Sequence, residues 1–201
     1  MKLKIFKVDA IRYYYFWKEY EEKMYKEIVE NNSVNAFKEY LNYMKITRNF
    51  KKDTSNEILI IANQFRIDKT VETVNKLSSE LIKNKVQSGN KNELLVASSK
   101  IMWLFDRDFY IIQDNLAKNV LKIISSNNSI KTYRDYYENW NIQYSNYKKE
   151  IENIIEQDEL DKIDCIFKEE WFIKRIFDLK LWREGKLIED APKITKRGKN
   201  E

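Results

Sequence analysis

Histidine is absent from this chain of 201 residues, cysteine and proline occur once each, and glycine occurs three times. Without histidine there is no Ser-His-Asp or Cys-His catalysis, no histidine-ligated zinc and no histidine nuclease. A lone cysteine, Cys165, excludes an intramolecular disulfide and any multi-cysteine metal site. Set among Ile163, Ile166 and Phe167, it reads as a small core residue. Any catalysis therefore falls to Asp, Glu, Lys or Tyr, or to a carboxylate-held metal. The shortage of glycine and proline also excludes a β-rich fold, which needs turn residues about every 8–12 positions. Helices joined by short Asn, Ser and Asp linkers remain. The expected fold is all-α: a single compact domain of about seven to nine helices. No window approaches the run of about 18 apolar residues that spans a bilayer, so no membrane partner is expected. The start, MKLKIFKVDA, carries no apolar stretch long enough for a signal peptide, and the expected location is cytoplasmic.

What the chain does have is aromatic side chains and lysine. Its 13 Tyr, 10 Phe and 5 Trp supply much of the apolar content, an excess that suits either a base-stacking pocket or a protein interface. The 37 basic and 32 acidic residues leave a net charge of +5, which is compatible with nucleic acid and equally with an ordinary basic protein. The abundance of Lys, Asn and Ile also fits an A/T-rich coding sequence.

Periodicity divides residues 1–190 into helices. The first runs over 9–30, with Tyr13, Phe16, Trp17, Tyr20 and Met24 on one face. Asn31-Asn32-Ser33 breaks it, and Ser33 caps a second helix reaching about residue 48. Helices follow over 56–66 and 68–86, the latter with Asp68 as N-cap. The break at 87–92, around Gly89, divides two layers of one domain, because no long flexible linker surrounds it. Further helices are expected over 92–105, 114–125, 130–157 and 159–184. Asp158, Glu159, Asp161 and Asp164 read as a solvated helix start in preference to a metal site, and neither a metal nor another cofactor is expected. Residues 191–201 form a basic tail expected to be disordered, in which Lys193, Lys196, Arg197 and Lys199 suit contacts to a nucleic-acid backbone.

One segment carries more information. Leu94, Ala97, Ser98, Ile101, Leu104 and Phe105 form an apolar stripe on one helix, and Leu116, Ala117, Val120, Leu121 and Ile124 form another. The link between them, DRDFYII, ends at Gln113-Asp114, so a carboxylate opens the second helix. The pattern in SSKIMWLFDRDFYIIQDNLAKNVL resembles the helix-hairpin-helix DNA glycosylase superfamily, including its 8-oxoguanine glycosylase branch, and related uncharacterised helical bacterial proteins. The resemblance spans 97–121. A second stretch, KRIFDLKLWREGK, with Phe177, Asp178, Leu181 and Trp182, is similar to a closing motif of the uncharacterised group. Two departures stand out. Residues 93–98 contain no glycine where those enzymes place a phosphate-gripping hairpin, and the Lys100–Asp114 spacing is shorter than theirs.

The resemblance implies a glycosylase-like helical core that binds DNA and excises a modified or damaged base, with Lys100 and Asp114 as catalytic residues. Genome maintenance or phage defence would suit such an enzyme. In that chemistry a fixed carboxylate stabilises positive charge developing on the sugar. An amine whose pKa burial has lowered can attack the sugar carbon. Trp103, Phe109 and Tyr110 would stack on an extruded base, and Gln113 would meet its edge. Each residue has a plainer reading as well. Asp114 is an N-cap, Lys100 a solvated flank residue, Trp103 a core residue on a second face, and Gln113 a turn residue. The competing function class is a non-enzymatic helical module that acts through a protein partner as a regulator or assembly subunit.

Overall fold

The computed structural model describes residues 2–90, 93–125 and 129–191, with side chains from Phe6 onward. Among these residues the chain is all-α: α1 (Lys2–Phe16), a π-helical turn (Trp17–Glu21), α2 (Glu22–Val29), α3 (Val34–Tyr43), α4 (Ser55–Asn63), α5 (Thr73–Lys83), α6 (Leu95–Phe105), α7 (Asn115–Ile124), α8 (Tyr133–Gln157), α9 (Leu160–Ile163) and α10 (Glu170–Asp190). The π turn fuses α1 and α2 into one rod, which leaves nine rods among the described residues. The sole β feature among them is an isolated bridge between Phe50 and Gln87.

Capping residues mark the helix starts. The Ser33 side chain accepts from the Ala36 amide, and Thr132 forms a reciprocal capping box with Asp135 at the head of α8. Helix ends show what glycine scarcity costs. After α3 and α5, Lys45 and Lys85 take the left-handed conformation, with φ of 56° and 55°, where glycine is usual. Backbone bonds Ile46→Leu41 and Val86→Leu81 close each turn over them.

Three local expectations change. The π turn adds a residue to the helical repeat and rotates the buried face of the first rod. Tyr13, Trp17 and Glu21 point inward, whereas Tyr20, expected on the core face, is exposed. Asp68 does not cap α5, which starts five residues later. The Thr73 hydroxyl instead donates to the Asp68 carbonyl, an alternative that competes with helix over this stretch. The helix expected over 159–184 is broken. Glu159 is left-handed at φ 54°, and Asp164 caps a 3-10 turn over Cys165–Lys168 by accepting from the Ile166 amide. That turn carries Cys165 to the surface, so it is not the core residue expected.

A contiguous core runs from Phe6 to Leu181 and includes residues on both sides of the 87–92 break, with α5 packed against α6 across it. Helix α7 packs along α10. A Cβ placed at Gly185 would lie 2.6 Å from the Leu116 carbonyl oxygen, so the two backbones meet at a point where only glycine fits. Much of the aromatic excess goes into the core. The buried Arg107 guanidinium lies 4.2 Å from the ring centres of Trp17 and Tyr25, 4.6 Å from Trp103 and 5.1 Å from Trp171. Aromatic faces there take the place of an anionic partner for a buried cation. No described helix is long and apolar enough to cross a membrane.

Candidate active site

A cleft of about 930 Å³ opens where several helix ends converge. The C-terminal turn of α3 and the segment after it (Tyr43 to Asn49) form one wall. The residues leading into α6 and its first turns (Glu93 to Ala97, then Lys100) form the floor. The link Ile112-Gln113-Asp114 and the first turn of α7 (Asn115 to Lys118) form the opposite wall. One face of α10 closes the cleft with Arg175, Asp178, Leu179, Trp182 and Glu189, whose spacing follows the helical repeat.

Lys100 and Asp114 come together on this surface. The Lys100 ammonium lies 3.7 Å from Asp114 Oδ2 and donates to the Met44 carbonyl at 3.0 Å, at the C-terminal end of α3. It is largely buried, and desolvation lowers its pKa, with the Asp114 charge opposing that shift. Lys100 is thus not a solvated flank residue. Asp114 has two roles at once. Its Oδ1 caps α7 by accepting from the Leu116 amide at 2.9 Å, and its Oδ2 faces the lysine.

Four carboxyls line the cleft, Glu93, Asp114, Asp178 and Glu189, and of these Asp178 is buried. Its Oδ1 accepts from Trp140 Nε1 at 2.8 Å, and its Oδ2 lies 3.8 Å from Arg175 Nη1. Burial raises its pKa to about 7, against the opposing pull of Arg175 and the Trp140 donor. Asp178 and Asp114 thus occupy different environments on one cleft: the first buried and proton-retaining, the second on a helix start beside an amine.

The rim is basic. Lys45, Arg48, Lys118 and Lys131 line the cleft, and none of them forms an ion pair among the described residues. The acids of the 158–164 stretch pair individually with Lys7, Lys162, Lys168 and Lys18. No group of three or more metal-ligating side chains occurs among the described residues.

The other expected site residues are placed differently. Gln113 lines the cleft but is 3 % exposed, with its amide hydrogen on Ser99 Oγ and its Oε1 buried without a partner among the described residues. Trp103 is buried under the guanidinium groups of Arg107 and Arg175, away from the cleft wall. Tyr110 is buried, its hydroxyl bonded to the Asp68 carbonyl, and Phe109 packs edge-on against it and beside Tyr137. These three rings offer the cleft no face. The aromatic residues that line it are Tyr43 and Trp182. Lys193, Lys196, Arg197 and Lys199 lie outside the described residues.

No protein-family model, curated protein or solved structure matches this chain. The functional reading therefore rests on the cleft.

Sequence reasoning found Lys100, Asp114 and Gln113 but passed over Arg48, Arg175 and the site role of Asp178 and Trp182. For α10 a signal was available: Arg175, Asp178 and Trp182 stand three and four residues apart, on one face of a helix. A buried acid at that spacing beside an exposed tryptophan marks a helix lining a site.

Proposed function

We propose that the cleft is the active site of a DNA-binding enzyme that releases a modified base by hydrolysing the N-glycosidic bond. The observation that carries the reading is the Lys100–Asp114 pair in a cleft whose other cations, Lys45, Arg48, Lys118 and Lys131, form no ion pair among the described residues. Those cations suit backbone phosphates. As the C1′–N bond breaks, its electrons leave with the base, and Asp178 supplies the proton that the departing nitrogen takes up. Asp114 stabilises the positive charge left on the sugar. The Lys100 amine, made less basic by burial, attacks C1′ and gives up a proton; the C1′–O4′ bond then breaks, O4′ takes up a proton, and the resulting imine is hydrolysed by water, which returns the free amine.

The assay is release of free base from oligonucleotides carrying a panel of modified bases. Asp114→Asn should preserve the cap yet lower the rate by about 10²–10³, and Lys100→Ala should abolish trapping of a covalent intermediate by borohydride. If wild type releases nothing from a broad panel, or Asp114→Asn releases base equally well, the catalytic reading fails. Exposed Ile123, Leu187 and Ile188 on the α7–α10 pair favour a second reading, a helical module that docks on a protein partner. Binding to nucleic acid that is absent at low salt would select it.

A further inference from the structure

Trp182 is unlike the other tryptophans. Trp17 and Trp171 pack on each other at 4.8 Å, Trp103 lies beneath two guanidinium groups, and Trp140 stacks on Tyr144 while donating to Asp178. Trp182 is 45 % exposed and has no aromatic or cation–π partner among the described residues. It sits on the cleft-lining face of α10, one turn beyond Asp178, and Gly185 on the same helix pins that face against the start of α7. The indole is therefore held on a rigid element at the edge of the cleft, half-exposed and without an aromatic partner among the described residues.

The same concavity holds Lys45, Arg48, Lys118 and Lys131, which form no ion pair among the described residues, together with the exposed acids Glu93 and Glu189. An exposed aromatic ring beside such cations is the arrangement that binds single-stranded nucleic acid. The ring stacks on a base, and the cations follow the phosphates. Bases in an intact duplex are stacked on both faces and offer none to an indole. We propose that Trp182 is the stacking platform for an unpaired base, so that the cleft takes single-stranded nucleic acid in preference to duplex. The inference rests on the nucleic-acid reading above and adds the strand form that the cleft accepts.

Intrinsic tryptophan fluorescence tests it directly, because Trp17, Trp103 and Trp140 are buried and Trp171 is partly buried against Trp17, which leaves Trp182 the most exposed of the five. The probes are a single-stranded DNA of about ten nucleotides, the matching RNA and the blunt DNA duplex, titrated at low salt with anisotropy as an independent measure of binding. Expected results are quenching on single-strand binding, affinity for the single strand about tenfold or more above duplex, and a loss of about tenfold or more in Trp182→Ala. Trp182→Phe should retain most of the affinity and lose the quenching, which separates stacking from any effect on folding. The DNA and RNA arms identify the sugar. Equal affinity for duplex, or undiminished single-strand binding by Trp182→Ala, overturns the platform while leaving nucleic-acid binding intact. If anisotropy detects no binding of any probe at low salt, the nucleic-acid reading falls and the platform with it.

Discussion

Asp178 shows how much a single side chain gains from its surroundings. Its carboxyl ordinarily titrates at 3.8, but burial moves that to about 7 even though Arg175 and the Trp140 donor pull the other way. The folded state therefore holds the proton more tightly than the unfolded chain does. The resulting stability is complete below about pH 4 and is lost as pH rises through about 7. Urea unfolding at pH 5 and pH 8 should show wild type less stable at the higher pH by on the order of a few kcal/mol, with the slope much reduced in Asp178→Asn. An unchanged slope in the variant would assign the titration to another group. Asp114 tests differently at the same scale. Asn caps about as well as Asp, so Asp114→Asn should melt near wild type, whereas Asp114→Ala should lose about 0.5–2 kcal/mol. A rate lost in both but stability lost only in the latter separates chemistry from capping.

Among the elements, α7 and α10 set the width of the cleft. Asp114, Leu116 and Lys118 approach from one side, and Arg175, Asp178 and Trp182 from the other. Gly185 fixes their separation. Gly185→Ala would put a methyl group 2.6 Å from the Leu116 carbonyl, and because the obstacle is backbone, a helix must move. Alanine favours helix by about 1 kcal/mol over glycine, but overpacking costs about 1–3 kcal/mol, so the net effect is destabilising. Denaturant melts should show that loss, and base release should fall with it as the two walls move apart. A variant as stable and active as wild type would mean that the helices slide past each other freely. The π turn is the other element-level device. It turns Glu21 inward, where Tyr13 donates to it at 2.6 Å, and it brings Trp17 over the Arg107 guanidinium.

For the whole molecule, the charge distribution matters more than the net value. Lys45, Arg48, Lys118 and Lys131 share one cleft and form no ion pair among the described residues, a local grouping that the net +5 does not describe. DNA binding should weaken steeply with salt. Each of Lys118→Ala and Lys131→Ala should reduce the log–log salt slope by about 1, and deletion of residues 193–201 should weaken binding without altering which base is released. A slope that the rim variants leave unchanged would place the phosphates elsewhere.

The all-α fold was legible in the sequence because it follows from local chemistry. Three glycines and one proline cannot make the turns of a β-rich fold, and Ser33 and Asp114 cap their helices wherever those helices lie. The proximity of Lys100 to Asp114 was suggested by their flanking one short link. Burial direction was less legible, since it depends on neighbours distant in the chain. Trp103 and Tyr110 looked available for stacking, yet Arg107, Arg175 and the Asp68 carbonyl occupy them. Trp182, noted only as part of a closing motif, is 45 % exposed on the cleft-lining face of α10. The π turn was invisible to a fixed helical repeat, so Tyr20 and Glu21 exchanged places. Local composition and capping determined which segments became helices. Only tertiary packing decided which side chains face the cleft, because a site joined by α3, α6, α7 and α10 exists only when helices far apart in sequence meet.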